Sequence, residues 1–184
     1  LANKVKEGLA KGVEPKRIDP VLRQMVSHFE VAQDLLREAG SRGMAEGNRQ
    51  RTLDTMAEAL ARGATAEEIR ELSRLSQDGK QKVTQETLAA GAKSVAIMKE
   101  ARITSRDGAA LVSEGIRQGY RSSELTDLGR DVKRRGLDFL QGRASIQALR
   151  EQIARGDRGD RLFRESGSSG SGGGGDRGDR GGHG

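Results

Sequence analysis

Apolar residues recur at intervals of three and four along most of this chain, which places them on one face of an α-helix. The longest such stripe follows Pro15 and predicts a helix that ends in the glycine-rich residues 40–43. No segment alternates apolar and polar residues as a β-strand does, so we predict no strands. The pattern predicts about eight helices, over residues 2–11, 15–40, 44–62, 66–77, 81–101, 105–118, 122–140 and 146–153. The predicted fold class is therefore all-α.

A six-residue phrase occurs three times and ends at Gly12, Gly63 and Gly119. The copies read EGLAKG, EALARG and EGIRQG. Aliphatic residues follow each final glycine at six and nine positions: Ile18 and Val21, Ile69 and Leu72, Leu125 and Leu128. Because glycine adopts the left-handed conformation at little cost, it is typical of the position just after a helix. The three copies predict repeated helical hairpins, arranged as a bundle or a short irregular solenoid.

Thr65 and Glu68 form the clearest local signal in the chain. A Thr followed three residues later by Glu is typical of a capping box, in which the hydroxyl and the carboxylate each accept a hydrogen bond from a backbone N–H group. Thr104 and Asp107 resemble a weaker version, and Gly91 lowers the helix propensity of the segment over residues 81–101. The predicted structural turn residues are Gly12, Gly63, Thr65, Glu68 and Gly119.

The composition changes at Gly156, after which glycine supplies 12 of the remaining 29 residues. Such a segment buries too little apolar surface to offset the entropy of ordering it. We therefore predict a helical hairpin-repeat domain over residues 1–155 and a disordered low-complexity tail over residues 156–184, in which only Leu162 and Phe163 could act as an anchor. The tail carries five arginines and five acidic residues, so the net charge of +6 belongs to the helical part.

Few side chains suited to catalysis are present. The chain contains no cysteine, which excludes disulfides, thiolate nucleophiles and cysteine-ligated zinc. Of the two histidines, His183 falls in the predicted tail and His28 has no second metal ligand one helical turn away. The glycine phrases lack the strand and the Gly-Lys-Ser/Thr motif of a phosphate-binding loop. We predict a non-enzymatic protein, and the sequence implies no catalytic residue, cofactor, metal or small-molecule ligand; a helical enzyme that uses carboxylates alone is an alternative.

Two classes of macromolecular partner are consistent with the sequence. Stacked helical pairs present extended surfaces to other proteins, so the leading hypothesis is a structural or protein-interaction role with an unknown protein partner. The alternative is a nucleic-acid-associated protein, in which the cationic run Lys133, Arg134 and Arg135 contacts phosphates. Interspersed acidic residues and an aromatic content of only 2% favour the protein partner.

The sequence also bears on location. No apolar stretch approaches the roughly 20 residues that a membrane-spanning helix needs, so we predict no membrane span. The chain begins with Leu1 rather than Met, which suggests that an upstream export signal has been removed. We therefore expect a periplasmic or secreted protein of the cell envelope, with a cytoplasmic location as the alternative.

Overall fold

Strong helix formers dominate the chain, and the computed structural model confirms the all-α prediction for the residues that it describes, 15–77 and 82–163. Eight α-helices lie in these ranges: α1 Pro15–Ser41, α2 Arg49–Arg62, α3 Ala66–Leu75, α4 Gln85–Glu100, α5 Ser105–Arg117, α6 Ser122–Arg134, α7 Gly136–Leu140 and α8 Ile146–Ala154. A 3-10 turn follows at Gly159–Arg161. None of the described helices has both the length and the apolar character needed to cross a bilayer. The helix predicted over residues 2–11, with Gly12 at its end, lies outside the described residues.

Helix α4 is the centre of the fold and packs most extensively against α6 and α2. Its buried positions are largely small residues, which let several helices approach it closely: Ala89, Ala90, Gly91, Ala92, Ser94 and Ala96. A Cβ atom on Gly91 would lie 2.9 Å from Cγ1 of Val112 in α5 and 3.1 Å from Cδ2 of Leu72 in α3. Gly91 therefore weakens the helix locally but is needed for the packing around it.

The contact between α4 and α6 is closest at Ser94 and Gly129. A Cβ atom on Gly129 would lie 2.5 Å from the Ser94 Oγ atom and 3.0 Å from both Cα and the carbonyl oxygen of Ser94. Because the last two atoms belong to the backbone, a side-chain rotation cannot make room. The largest helix–helix contact of the fold thus depends on a glycine.

Two helices begin later than the sequence predicts. Helix α2 begins at Arg49 instead of Met44, because Asn48 caps it by accepting a hydrogen bond from the Arg51 N–H group at 3.0 Å. Met44 is buried, and its carbonyl oxygen accepts a 3.2 Å hydrogen bond from Gln85 Nε2. Helix α4 begins at Gln85 instead of Gln81 because Thr84 and Thr87 form a capping box. In both cases a side-chain cap sets the start of the helix.

Helices α2 and α5 end with the same backbone geometry. Gly63 has a φ of +123° and Gly119 a φ of +84°, and both lie just after their helices. The next N–H group donates to the carbonyl five residues earlier, a Schellman motif, in the pairs Ala64–Ala59 and Tyr120–Gly115, both at 3.0 Å. The phrases that end at Gly63 and Gly119 are therefore helical corners whose two arms separate and pack largely on other helices.

The helices form two similar three-helix units, α2–α3–α4 and α5–α6–α8. The third helix of each unit packs on the first, since α4 contacts α2 and α8 contacts α5. The second unit then stacks on α4 through α5 and α6. Helices α2 and α3 pack on α1 in the same way. The units therefore follow one another as in a short solenoid.

The C-terminal part differs from the prediction in two respects. The helix expected over residues 122–140 is broken at Arg135 into α6 and α7, and Leu137 and Leu140 of α7 remain exposed. The disorder expected from Gly156 onward is wrong for residues 156–163, because Leu162 and Phe163 are buried in the core. Residues 164–184 lie outside the described part of the chain.

The last helix of the stack has a polar outer face. Leu149 and Ile153 of α8 are buried, whereas Gln147, Glu151 and Ala154 are exposed. The outer surface of α8 therefore offers no apolar stripe to a further helix, and we refer to it as the closed end.

Candidate interaction surface

The first helical corner is held by a cation from a later helix. Glu68 accepts a 2.9 Å hydrogen bond from the Thr65 N–H group, and the Thr65 hydroxyl accepts one from the Glu68 N–H group at 3.1 Å. The Lys99 ammonium group donates to both Glu68 oxygens at 3.0 Å and to the Gly63 carbonyl oxygen at 2.8 Å. Ser105 adds a short hydrogen bond to Glu68. Glu68 thus joins the corner to α4 and α5.

Burial would raise the pKa of the Glu68 carboxyl group. The hydrogen bonds from Ser105, the Thr65 backbone and Lys99, together with the positive charge of Lys99, outweigh that effect and lower the pKa below its ordinary value. Glu68 is therefore ionised in the folded protein at neutral pH, as a structural ion-pair partner.

The second corner repeats this arrangement with different residues. Glu124 accepts a 2.8 Å hydrogen bond from the Arg121 N–H group and a 3.1 Å hydrogen bond from Arg158 Nη1. Arg158 also donates to the Gln118 carbonyl oxygen at 2.7 Å and lies over the Tyr120 ring, 5.1 Å from its centroid. Glu68 and Glu124 each lie five positions after the last glycine of their phrase, which is visible in the sequence. The sequence pattern did not indicate that Lys99 and Arg158 would be their cationic partners.

The cationic run in α6 is occupied by intramolecular partners. Lys133 donates to a Glu100 oxygen at 2.8 Å, and Arg134 pairs with Asp131. The Arg135 guanidinium lies 4.3 Å from the ring centroid of Phe163. Each of the three cations therefore has a partner within the described residues, which a bound phosphate would have to replace.

The titratable side chains offer little catalytic geometry in the described ranges. There, no three His, Asp or Glu side chains come together in a way that could hold a metal ion. His28 is half-buried on α1. Burial raises the pKa of the Tyr120 hydroxyl, which donates a short hydrogen bond to the Asp157 carbonyl oxygen. These groups serve packing and hydrogen bonding.

The N-terminal half of α1 carries an apolar face that does not reach the core. Val21 is 54% exposed, and Leu22 and Met25 are half-buried without packing against the core cluster. All three residues belong to the apolar stripe that the sequence places after Pro15, whereas full burial in α1 begins only at Ala32. We call Val21, Leu22 and Met25 the open face.

The other two copies of the repeat show how the equivalent positions pack in their own helices. Counted from the final glycine of each phrase, the positions of the open face correspond to Leu72, Ser73 and the C-cap residue Ser76 of α3, and to Leu128, Gly129 and Val132 of α6. All six of these residues are buried. In α6 they face α4, as the contact between Gly129 and Ser94 shows.

Comparison with other proteins adds no further constraint on the role of these surfaces. No protein-family model, curated protein or solved structure matches the chain.

Proposed function

We propose that this protein is a non-enzymatic binding module that receives a helix of a partner protein on the open face of α1. The carrying observation is the exposed apolar position of Val21, whose counterparts Leu72 and Leu128 are almost completely buried. The same position of the repeat is therefore buried in two copies and exposed in the third. Helix docking on an apolar stripe is a common mode of recognition between proteins.

The internal counterpart indicates the chemistry of the partner helix. Helix α6 is covered by α4, whose buried residues include four alanines together with Ser94, the residue closest to Gly129. The open face has Leu22 and Met25 where α6 has Gly129 and Val132, so its surface is larger and more apolar. With Leu22 in place of Gly129, a partner helix would pack at a larger separation than α4 does on α6, and small residues on that helix would leave room for the Leu22 and Met25 side chains.

The apolar side chains of the open face could supply useful binding energy. Complete burial of one Leu, Met or Val side chain contributes roughly 1.5–3 kcal/mol. Part of that gain is offset by the rotational and translational freedom that the partner loses. Leu22 and Met25 should therefore act as the dominant residues of the interface, with their charged neighbours contributing little.

A peptide with the sequence of residues 84–101 is a defined probe for this surface, because it reproduces α4 and its Thr84 cap. Its binding to the full chain can be followed by fluorescence anisotropy. The double variant Leu22→Glu, Met25→Glu should bind it at least tenfold more weakly, as expected when two buried apolar contacts are replaced by charges. Gln24→Glu is the matched control, because Gln24 is exposed on the same helix and its variant should bind normally.

Two results would contradict the proposal. One is the absence of peptide binding to the full chain. The other is binding that the double variant retains. If only a variant without residues 1–13 binds the peptide, the chain itself covers the open face, and the partner role is again refuted.

The nucleic-acid alternative has less support, because the intramolecular partners of Lys133, Arg134 and Arg135 would have to be given up. It predicts binding to duplex or single-stranded nucleic acid that weakens steeply as salt rises, and that is lost after charge reversal of these three residues. An exported, periplasmic or secreted location is likewise a proposal, which fractionation of cells that produce the complete gene product would test.

A further inference from the structure

A cavity of about 400 Å³ opens between α1, α2 and the first turn of α4. Leu36 and Leu53 contribute apolar wall, and Thr52 and Gln85 contribute polar groups. Its volume lies in the range of small-molecule sites, which combine apolar walls with a few placed polar groups. The cavity is distinct from the open face.

The side-chain amide of Gln85 has unused hydrogen-bonding capacity. Gln85 is buried, and its Nε2 group donates one hydrogen bond, to the Met44 carbonyl oxygen at 3.2 Å. The second N–H of this group and the Oε1 acceptor form no hydrogen bond within the described residues. Gln85 therefore presents one free donor beside one free acceptor, the pattern that a second amide group complements.

The hydroxyl group of Thr52 lacks a partner. Thr52 is only 1% exposed, and its Oγ1 atom forms no hydrogen bond in the described structure. A buried polar group without a partner is destabilising, so natural proteins keep few of them. Thr52 also lines the cavity, so a rotation of its side chain about χ1 would bring the unpaired hydroxyl to a polar group of a ligand.

Gly40 keeps the approach to Gln85 open. A Cβ atom at this position would lie 3.1 Å from Gln85 Nε2, closer than ordinary van der Waals contact. Gly40 lies within α1 and has no positive φ, so the backbone conformation does not require glycine. Alanine would favour the helix more, which makes the glycine costly for the fold and useful for access.

The charges at the rim of the cavity are balanced. Arg37 pairs with Asp34 at 3.2 Å, and Arg49 pairs with Glu46 at 3.6 Å. The rim therefore attracts neither anions nor cations strongly, which favours an uncharged ligand group.

We propose that this cavity binds a small molecule that presents an uncharged amide group and a short aliphatic portion. The amide pairs with Gln85 by accepting one hydrogen bond and donating another, and it offers a partner to Thr52. The aliphatic portion lies against Leu36 and Leu53. The proposal does not depend on the open face.

N-acetyl-leucinamide is a suitable probe, because it joins an aliphatic side chain to a terminal primary amide whose C=O and N–H groups lie side by side and can pair with Gln85. The trans acetyl amide, which both test compounds share, cannot pair in this way because its C=O and N–H groups point in opposite directions. N-acetyl-leucine is the matched compound, since it replaces the terminal amide with a carboxylate. When N-acetyl-leucinamide is added to the full-length ¹⁵N-labelled protein, the backbone amide signals of residues around Thr52 and Gln85 should shift in NMR spectra. The carboxylate should bind at least tenfold more weakly, because an ionised group cannot donate to Gln85 Oε1.

Two variants test the named residues. Gly40→Ala should bind the amide at least tenfold more weakly, because its methyl group enters the approach to Gln85, and circular dichroism should show that the variant is still folded. Thr52→Val should weaken binding several-fold, whereas Thr52→Ser, which keeps the hydroxyl, should retain it. Gly108→Ala is the control for a helical glycine remote from the cavity and should bind normally.

Each outcome decides the proposal. Signals that shift in the expected region, with loss of binding in Gly40→Ala and Thr52→Val, support it. No saturable binding of the amide at millimolar concentration would overturn it. Equal or tighter binding of the carboxylate would refute the amide class, and full binding by folded Gly40→Ala would refute the assigned place.

Discussion

The substitution Gly129→Ala tests the packing at the centre of the fold. The new Cβ atom would meet the Ser94 Oγ atom at 2.5 Å and two Ser94 backbone atoms at 3.0 Å. Since the backbone cannot rotate away, α4 and α6 must move apart along the most extensive contact of the molecule. The variant is therefore expected to be destabilised.

The magnitude follows from two opposing effects. Overpacking of a well-packed core costs roughly 1–3 kcal/mol, and the backbone contacts at Gly129 place this case near the upper end. Replacement of a helical Gly by Ala stabilises the helix by about 1 kcal/mol. A net loss of about 2 kcal/mol remains, which corresponds to a fall in melting temperature of roughly 4–8 °C for a chain of this size.

Gly108→Ala provides the matched control. A Cβ atom on Gly108 would lie 3.6 Å from Met98 Sδ and 3.6 Å from Val95 Cγ1, which is ordinary contact. This variant should gain about 1 kcal/mol from helix propensity. Thermal and urea unfolding followed by circular dichroism measures both variants. If Gly129→Ala proves as stable as the original chain, α4 and α6 do not pack at the described distance.

Further predictions concern the first corner and the cavity. Gly63→Val should cost roughly 1–2 kcal/mol or more in urea unfolding, because a β-branched residue resists a φ of +123°; an unchanged midpoint would show that the corner is misplaced. Thr65→Ala should cost about 1 kcal/mol through the lost cap, and Thr65→Ser should keep it. The lowered pKa of Glu68 means that its contribution to stability is present above the ordinary carboxyl pKa and is lost as the pH falls through the folded value, so Glu68→Gln should flatten the acid side of the stability profile. Thr52→Val should stabilise the ligand-free protein by about 1 kcal/mol, because it removes an unpaired buried hydroxyl, and a clear loss of stability would indicate a hidden partner.

The sequence predicted helices well where the signals are local. Glycine ends, the Thr65 cap and the three-to-four spacing depend on neighbouring residues, and the described helices broadly follow these signals. The starts of α2 and α4 were displaced by four or five residues, since Met44 continues an apolar pattern but is buried in a turn that Gln85 contacts from another helix. A contact between residues that are far apart in the sequence leaves no signal in the pattern of neighbouring residues.

The surfaces were harder to predict for the same reason. The corner cations Lys99 and Arg158 stand 36 and 39 residues after the glycines whose carbonyl oxygens they contact. The cavity combines side chains of three helices, and no pattern within one helix indicates it. The stripe in α1 could be predicted, but its lack of cover in the first half of the helix depends on where α2 and α3 dock.

The closed end of α8 limits how copies of this protein can associate. A stack with an apolar surface at both ends would add molecules head to tail and grow into a fibre. Of the two end helices of the described stack, α1 and α8, α1 alone has such a surface, so two copies that met through it would cover both of these apolar surfaces and expose a polar helix on either side. Self-association through the ends of the stack would thus stop at a two-fold symmetric pair.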